Sequence, residues 1–457
     1  MTRVDELQKK YPDLPRELIV KWETLSQGIK DTPAIDKVSE WTRGGSYQSR
    51  DLNITMKEIA DKREGTAKAG YVLRPKSLYM KNGVGVNIRR HSQTPYEIRE
   101  ESEGHFALYE GEDKIEDIFF PSPKTRGDEL FTSKGTPVST LVTAHARCFS
   151  IAPVRFCEYF TRGEQCKFCN YNSTYDDARS LGTSIPLTVN MEDTVEAYKI
   201  LASEMKFIEG RWQSGALRSS EQETGTYINF VEKIASAVPY TPNMTMSTQP
   251  AERKLLQRLK DAGLTCIHFN MEVWGEELFA EVCPGKSKYR GLDHYKEGYL
   301  EALEIFGDGN VSSNFVAGVS MMPANGYKTW QEARDSDLEG YKWLISHGVF
   351  CTFIGLRLGV GSIYGDDKTN WAKVPPTEYY LEASMGHHKL MKEHGLYEKL
   401  NRLMFCPLDC INAMYCGDLG MIELAGDIGS WAAKVFPPEA NWLAKFISSH
   451  RAPATNQ

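Results

Sequence analysis

From about residue 145 the chain alternates between two hydrophobic rhythms. CFSIAPVRF, RWQSGAL, NMTMSTQP, CIHFNMEV, VSSNFVAGVS and FCTFIGLRLG are short, mostly apolar runs of the kind that form strands. Between them lie NMEDTVEAYKILASEM, TYINFVEKIASAV, AERKLLQRLKDAG, HYKEGYLEALEIFG and DSDLEGYKWLISHG, whose apolar residues recur three or four apart. That spacing predicts helices, with Asn190 as the N-cap of the first and Gly263 closing the third. Alternating units of this kind imply a parallel sheet with chemistry at the C-terminal ends of its strands. Roughly six units predict an α/β fold, a partial (β/α)6 TIM-like barrel rather than a closed eight-fold one.

The flanks read differently. Residues 1 to about 60 are polar and helical in pattern, and YVLRPKSLYM, GVGVNIRR and HFALYEG then read as strands. Residues 1–140 are therefore expected to form an α+β N-terminal region, 141–365 the barrel, and 366–457 a helical C-terminal extension. PPTEYYLEASMGHHKLMKEHG reads as one helix. His387 and His388 on it point in different directions and are expected at the surface.

Composition narrows the classes of function. The formal net charge of −7 argues against a broad nucleic-acid surface, which needs clustered Lys and Arg. No run of about 18 apolar residues predicts a membrane span, and the charged N-terminus lacks the apolar core of a secretory leader. A cytoplasmic location follows as the expectation. In that compartment the 10 cysteines are not expected to pair as structural disulfides. Seven of them fall within 148–169 and 406–416, and clustering suggests metal.

The first group is FCEYFTRGEQCKFCNYN, in which Cys157, Cys166 and Cys169 form C-x8-C-x2-C directly after the first strand. Three thiolates on one loop can hold three irons of a cubane cluster. The fourth iron then stays open to a small chelate. Two other readings stand beside this one. Zinc takes four ligands, so Cys148 or a histidine would complete its set. Buried structural cysteines are the third reading.

The segment resembles the cluster loop of the radical S-adenosylmethionine (SAM) superfamily, whose usual pattern is C-x3-C-x2-C with an aromatic residue before the last cysteine. Phe168 fills the aromatic position, and the first interval is longer than usual. The resemblance covers roughly residues 145–365 and implies a [4Fe–4S] cluster and SAM as cofactors. Ser214 and Gly215 stand where that superfamily has a glycine-rich turn near the cofactor's amino group, with Glu221 and Glu223 a few residues on. HFNMEVW resembles the fourth strand of the lipoyl synthase and biotin synthase branch. That likeness assigns Asn270 and Glu272 to the cofactor's ribose or methionyl part; the other reading of Glu272 is a buried carboxylate paired with an Arg. SSNFVAGVS resembles the strand that packs on adenine and puts Asn314 toward the cavity. Ser247, Gln249 and Arg357 are further cofactor-binding candidates on the same rim.

Cys406, Cys410 and Cys416 make a second group, C-x3-C-x5-C. They are read as ligands of an auxiliary iron–sulfur cluster, with Cys351 a candidate fourth ligand. Alternatively, Cys410 and Cys416 are thiols that give a hydrogen atom to a substrate radical, or all three are packing residues. The superfamily resemblance implies reductive cleavage of SAM to a 5′-deoxyadenosyl radical, which takes hydrogen from a small-molecule or peptide substrate. Sulfur insertion and C–C or C–S bond formation are both open as the next step. An electron donor such as flavodoxin or ferredoxin is implied, as is sensitivity to oxygen. The competing class is a zinc- or cluster-stabilised binding or scaffold protein with a degenerate barrel.

Overall fold

The computed structural model describes residues 1–30, 32–35, 77–80, 85–89, 91–119, 130–145, 148–172, 175, 179, 186–204, 209–213, 215–237 and 243–396. Ser214, Cys406, Cys410 and Cys416 lie outside the described residues.

The N-terminal part contains helices α1 (Arg3–Lys10) and α2 (Arg16–Gln27). Strands β1 (Ser77–Met80), β2 (Gly85–Asn87), β3 (Tyr96–Ser102), β4 (His105–Glu110) and β5 (Asp113–Phe119) form an antiparallel sheet in the order β2-β1-β5-β4-β3. The second sheet begins with β6 (Thr143–His145), antiparallel to β7 (Cys148–Ile151). It continues through β8 (Glu209–Trp212), β9 (Asn243–Thr248), β10 (Cys266–Phe269), β11 (Val311–Ala317) and β12 (Phe350–Gly355). Strands β7 to β12 are six, all parallel and in strictly sequential order.

The crossovers contain α3 (Met191–Glu204), α4 (Ser220–Ala237) and α5 (Arg253–Asp261). After β10 come two short helices, α6 (Glu276–Val282) and α7 (Pro284–Tyr289), and then α8 (Leu292–Phe306). Helix α9 (Trp330–Ser346) precedes β12, and α10 (Thr377–Glu393) follows it. Right-handed crossovers between sequential parallel strands put every helix on one face and curl the sheet around the other. The result is the partial (β/α)6 barrel expected from the alternation. Local signals agree: Asn190 Oδ1 accepts from Asp193 N at 3.0 Å as an N-cap, and Leu255, Leu256 and Leu259 form the buried stripe of α5.

The two strand faces differ sharply. Outward side chains pack in aromatic pairs with the helices: Phe149 on Tyr198, Trp212 on Phe230, Phe269 on Tyr299 and Phe315 on Tyr341. Alternation turns Ser150, Thr245, Ser247, His268, Asn314 and Thr352 inward. The barrel interior thus mixes these small and polar groups with Val316, Phe350 and Ile354 on the same face. Helix α2 covers the β12 side: Trp22 is fully buried, stacked on Tyr380 of α10 at 4.7 Å and on Phe353 at 5.9 Å.

His387 and His388 are buried, at 0% and 8% exposure, not at the surface as the sequence suggested. Helix α10 packs against both α9 and α2, which leaves it little solvent face. His387 Nε2 bonds the Cys351 carbonyl at 2.6 Å.

Candidate active site: a thiol loop at the mouth of the barrel

The C-terminal end of β7 runs into the cysteine loop. Arg155 N donates to Leu187 O at 2.7 Å, and Val189 N to Pro153 O at 3.2 Å, closing the loop's base. Cys157 is extended and caps a 3-10 turn, Glu158–Arg162, which ends at Gly163 in the left-handed region. The long first interval of the motif is therefore a built turn, and its anchor is Tyr159, at 1% exposure. The Tyr159 hydroxyl donates to Gln249 Oε1 at 2.6 Å, and its ring stacks on Tyr289 at 5.7 Å. A tight turn closes the second interval, with Cys169 N donating to Cys166 O at 2.9 Å.

Neighbouring segments clamp the loop from several sides. Glu158 N donates to Ala216 O at 3.0 Å, Lys167 N to Val282 O at 2.9 Å, Gly285 N to Glu164 O at 2.8 Å, and Tyr364 N to Lys167 O at 3.0 Å. Glu158 pairs with Arg218, Lys288 with Glu164, and Lys167 with Glu281. A Cβ at Gly215 would lie 2.0 Å from the Phe156 carbonyl oxygen. Only glycine admits this approach. Gly215 thus seats the peptide that carries Cys157.

The three thiols are close enough to repel one another when ionised. Burial, and then Cys166, push the Cys157 thiol up to about 11. Burial, Cys166 and Cys157 push Cys169 up as well. Cys166 goes the other way, lowered by a hydrogen bond with Cys283 and by the Lys286 ammonium. Ionising all three without a cation is unfavourable, and a cationic iron centre reverses that balance. Among the described residues, no three His, Cys, Asp or Glu side chains converge closely enough for a single metal ion. A cubane takes each thiolate on a different iron, so its ligands stand wider apart than those of one ion. An all-thiolate donor set of this kind suits an iron–sulfur cluster.

The other candidates divide into groups. Gln249, at 3% exposure, holds structure together: its Nε2 donates to Leu217 O at 2.8 Å and to Glu223 Oε2 at 3.0 Å. The Glu223 carboxylate also accepts from Leu217 N, Gln249 N and the Thr248 hydroxyl, tying the ends of β8 and β9 together. Both Nε2 hydrogens of Gln249 are therefore committed, and its Oε1 already accepts from Tyr159. Glu272 is buried and paired, with Lys286 Nζ at 2.7 Å from Oε1 rather than with an Arg. Burial alone would lower Lys286; Glu272, together with Tyr295, Cys166 and Cys283, outweighs it and the net shift is upward. Glu272 is also the one non-glycine residue with positive φ among those described, at 72°. Its backbone nevertheless continues the ladder, donating to Asn314 O at 2.9 Å and accepting from Val316 N at 2.8 Å.

Ser247, Asn270 and Asn314 do face the interior. Thr352 Oγ1 donates to Asn314 Oδ1 at 3.0 Å, and the Asn270 carbonyl accepts from Lys286 at 2.8 Å. Phe168 is half-buried against the core. Arg357, just past β12, lies beside the buried Arg89, which it helps hold down to about 10 after burial itself. Cys351 is buried on the outward face of its strand.

Three residues escaped the sequence reading. Tyr159 sat inside the unusual interval, and Lys286 and Cys283 sit in CPGK at the α6–α7 junction. His268 is the fourth chemical group of note. It shares a 2.5 Å hydrogen bond with Ser312, and burial followed by the Arg211 cation lowers it to about 4, so it is neutral near pH 7.

No family model matches the chain. A stretch of 101 residues is 29% identical to bacteriochlorophyllide c C-7(1)-hydroxylase of Chlorobaculum limnaeum, which is 22% of this chain and 22% of that protein. Methylornithine synthase aligns at TM-score 0.38 and 15% identity, over 52% of this chain and 62% of the other. Coproporphyrinogen III oxidase from Escherichia coli, described as a radical SAM enzyme, aligns at 0.36 and 12%, over 54% and 52%. The radical SAM methyltransferase TsrM from Kitasatospora setae aligns at 0.33 and 14%, over 47% and 38%. The chain spans less than two thirds of the length of each of these relatives. Among the described residues, no helix is long and apolar enough to cross a membrane.

Proposed function

We propose that this chain is a radical SAM enzyme in which Cys157, Cys166 and Cys169 hold three irons of a [4Fe–4S] cluster. The observation that carries the reading is that these three cysteines share one clamped loop at the C-terminal mouth of a parallel partial barrel. A cluster held by Cys157, Cys166 and Cys169 would supply the electron for reductive cleavage of SAM to a 5′-deoxyadenosyl radical. The chain's own residues do the rest. The loop anchors fix the thiols. Asn270, Ser247 and Asn314 offer hydrogen bonds from the wall, and the helices outside the strands exclude water. The substrate is a polar small molecule or peptide segment that enters the barrel and matches this lining.

The test is anaerobic reconstitution of the full chain with iron and sulfide, followed by addition of SAM and a strong reductant. The expected result is a brown protein with four irons per cluster, and release of 5′-deoxyadenosine. Cys169→Ala is expected to lose both. A colourless protein, or one carrying zinc alone, would overturn the reading. Iron content of the Cys406, Cys410 and Cys416 triple variant, against wild type, tests the proposed auxiliary cluster separately.

A further inference from the structure

Cys283 is a fourth thiol at the proposed cluster, supplied from more than a hundred residues further along the chain. It stands at the junction of α6 and α7, is fully buried, and belongs to the segment that packs directly against the one carrying Cys166. The backbone sets this contact. Val282 O accepts from Lys167 N at 2.9 Å, and Gly285 N donates to Glu164 O at 2.8 Å. The residues on either side of Cys283 are thus bonded to residues on either side of Cys166. Gly285 permits the close approach, since a Cβ there would meet Glu164 O at 2.6 Å. Lys286, one residue further on, brings its charge within reach of both sulfurs and is balanced by Glu272.

Resting on the cluster reading above, we propose that Cys283 is a positioning residue that donates its S–H to the Cys166 sulfur and thereby sets the cluster's reduction potential. Once Cys166 is an iron-bound thiolate it has no proton to give, so Cys283 is the donor. Reduction adds negative charge to the cluster and its sulfurs. A donor aimed at one of them stabilises the reduced state more than the oxidised one, and hydrogen bonds to the sulfurs are among the terms that set such potentials. A thiol is a weak donor in water, but this one is buried, where electrostatic contacts count for more. The C-P-G-K segment therefore does for the cluster what a protein environment does for any metal: it tunes the metal through its ligand's own partner.

The experiment is a spectroscopic redox titration of the reconstituted full-length chain, compared with Cys283→Ala and Cys283→Ser. At the wild-type midpoint, Cys283→Ala is expected to show about a tenfold lower ratio of reduced to oxidised cluster, which is about 59 mV for one electron. Cys283→Ser keeps a donor and is expected to stay within about threefold of wild type, or about 30 mV. Cys283→Val fills the space without a donor and replaces the alanine variant if that one does not fold. Equal midpoints in all variants overturn the proposal. So does loss of iron from a folded Cys283→Ala, which would make Cys283 a ligand. A wild-type chain that takes up no cluster overturns the underlying reading along with this one, whereas a normal cluster with unshifted midpoints overturns this one alone.

Discussion

Tyr159 and Gln249 meet 90 residues apart in sequence, hydroxyl to amide oxygen at 2.6 Å, and through them the cysteine loop is joined to the end of β9. Tyr159→Phe keeps the ring and its stacking on Tyr289 but leaves Gln249 Oε1 buried without a donor. An orphaned buried acceptor costs about 1–3 kcal/mol. Denaturant unfolding is expected to show that loss, and iron retained after reconstitution is expected to fall as the loop loosens. Wild-type stability in Tyr159→Phe would show that the contact contributes little.

Two glycines separate the effect of local crowding from that of the residue type. Gly215→Ala drives a methyl into the Phe156 carbonyl and is expected to displace Cys157 and abolish iron uptake. Gly225→Ala, in the middle of α4, meets nothing within 4 Å. It is expected to keep iron uptake and to gain up to about 1 kcal/mol from better helix propensity. Equal iron content in the two variants would contradict the seating role of Gly215.

Glu272 and Lys286 form a buried ion pair, each side chain about one-tenth exposed. Removing one partner from such a pair costs roughly 3–5 kcal/mol, because the other charge stays buried alone. Glu272→Gln is expected to show that loss in urea unfolding. The double variant Glu272→Gln with Lys286→Met is expected to recover much of it, and a double variant no more stable than the single would refute the pairing argument.

Asp337 of α9 is fully buried, its carboxylate accepting from Gly318 N at 3.3 Å and from the Tyr379 hydroxyl. Burial pushes it up to about 7, against an ordinary value of 3.8. The folded chain therefore keeps a proton that the unfolded chain gives up, and stability falls as pH rises through that window. The slope reaches about 1.4 kcal/mol per pH unit. His387 acts in the opposite sense: burial lowers it from 6.5 to about 4, so its contribution is lost as pH falls through that range. Asp337→Asn is expected to gain stability relative to wild type between pH 4 and pH 8, measured by urea midpoints. A difference that does not change with pH would rule the carboxyl out as the source.

Much of the barrel could be read from the sequence because its signals are local. Strand runs, the Asn190 cap and the leucine stripe of α5 each occupy a dozen residues or fewer, and the structure keeps all of them. The cysteine loop was legible for the same reason. What stayed hidden depends on long-range contacts. Cys283 reaches Cys166 only because the α6–α7 junction folds back on the loop. Gln249 looks like a cavity residue by alternation, yet Tyr159 and Glu223 claim its side chain. The misplacement of His387 and His388 has a similar origin. Their helix has polar residues all along it, and it is buried because α2 and α9 cover it, which no pattern within the helix announces.

The division between strand faces has a consequence for how this molecule can change. Cohesion between sheet and helices is vested in outward rings such as Phe149, Trp212, Phe269 and Phe315. Inward groups such as Ser247 and Thr352 carry little of that burden. Exchanging them alters what the cavity accepts while leaving the scaffold's anchorage intact. A lineage built on this chain can therefore explore new ligands by single steps on one face without first acquiring spare stability on the other.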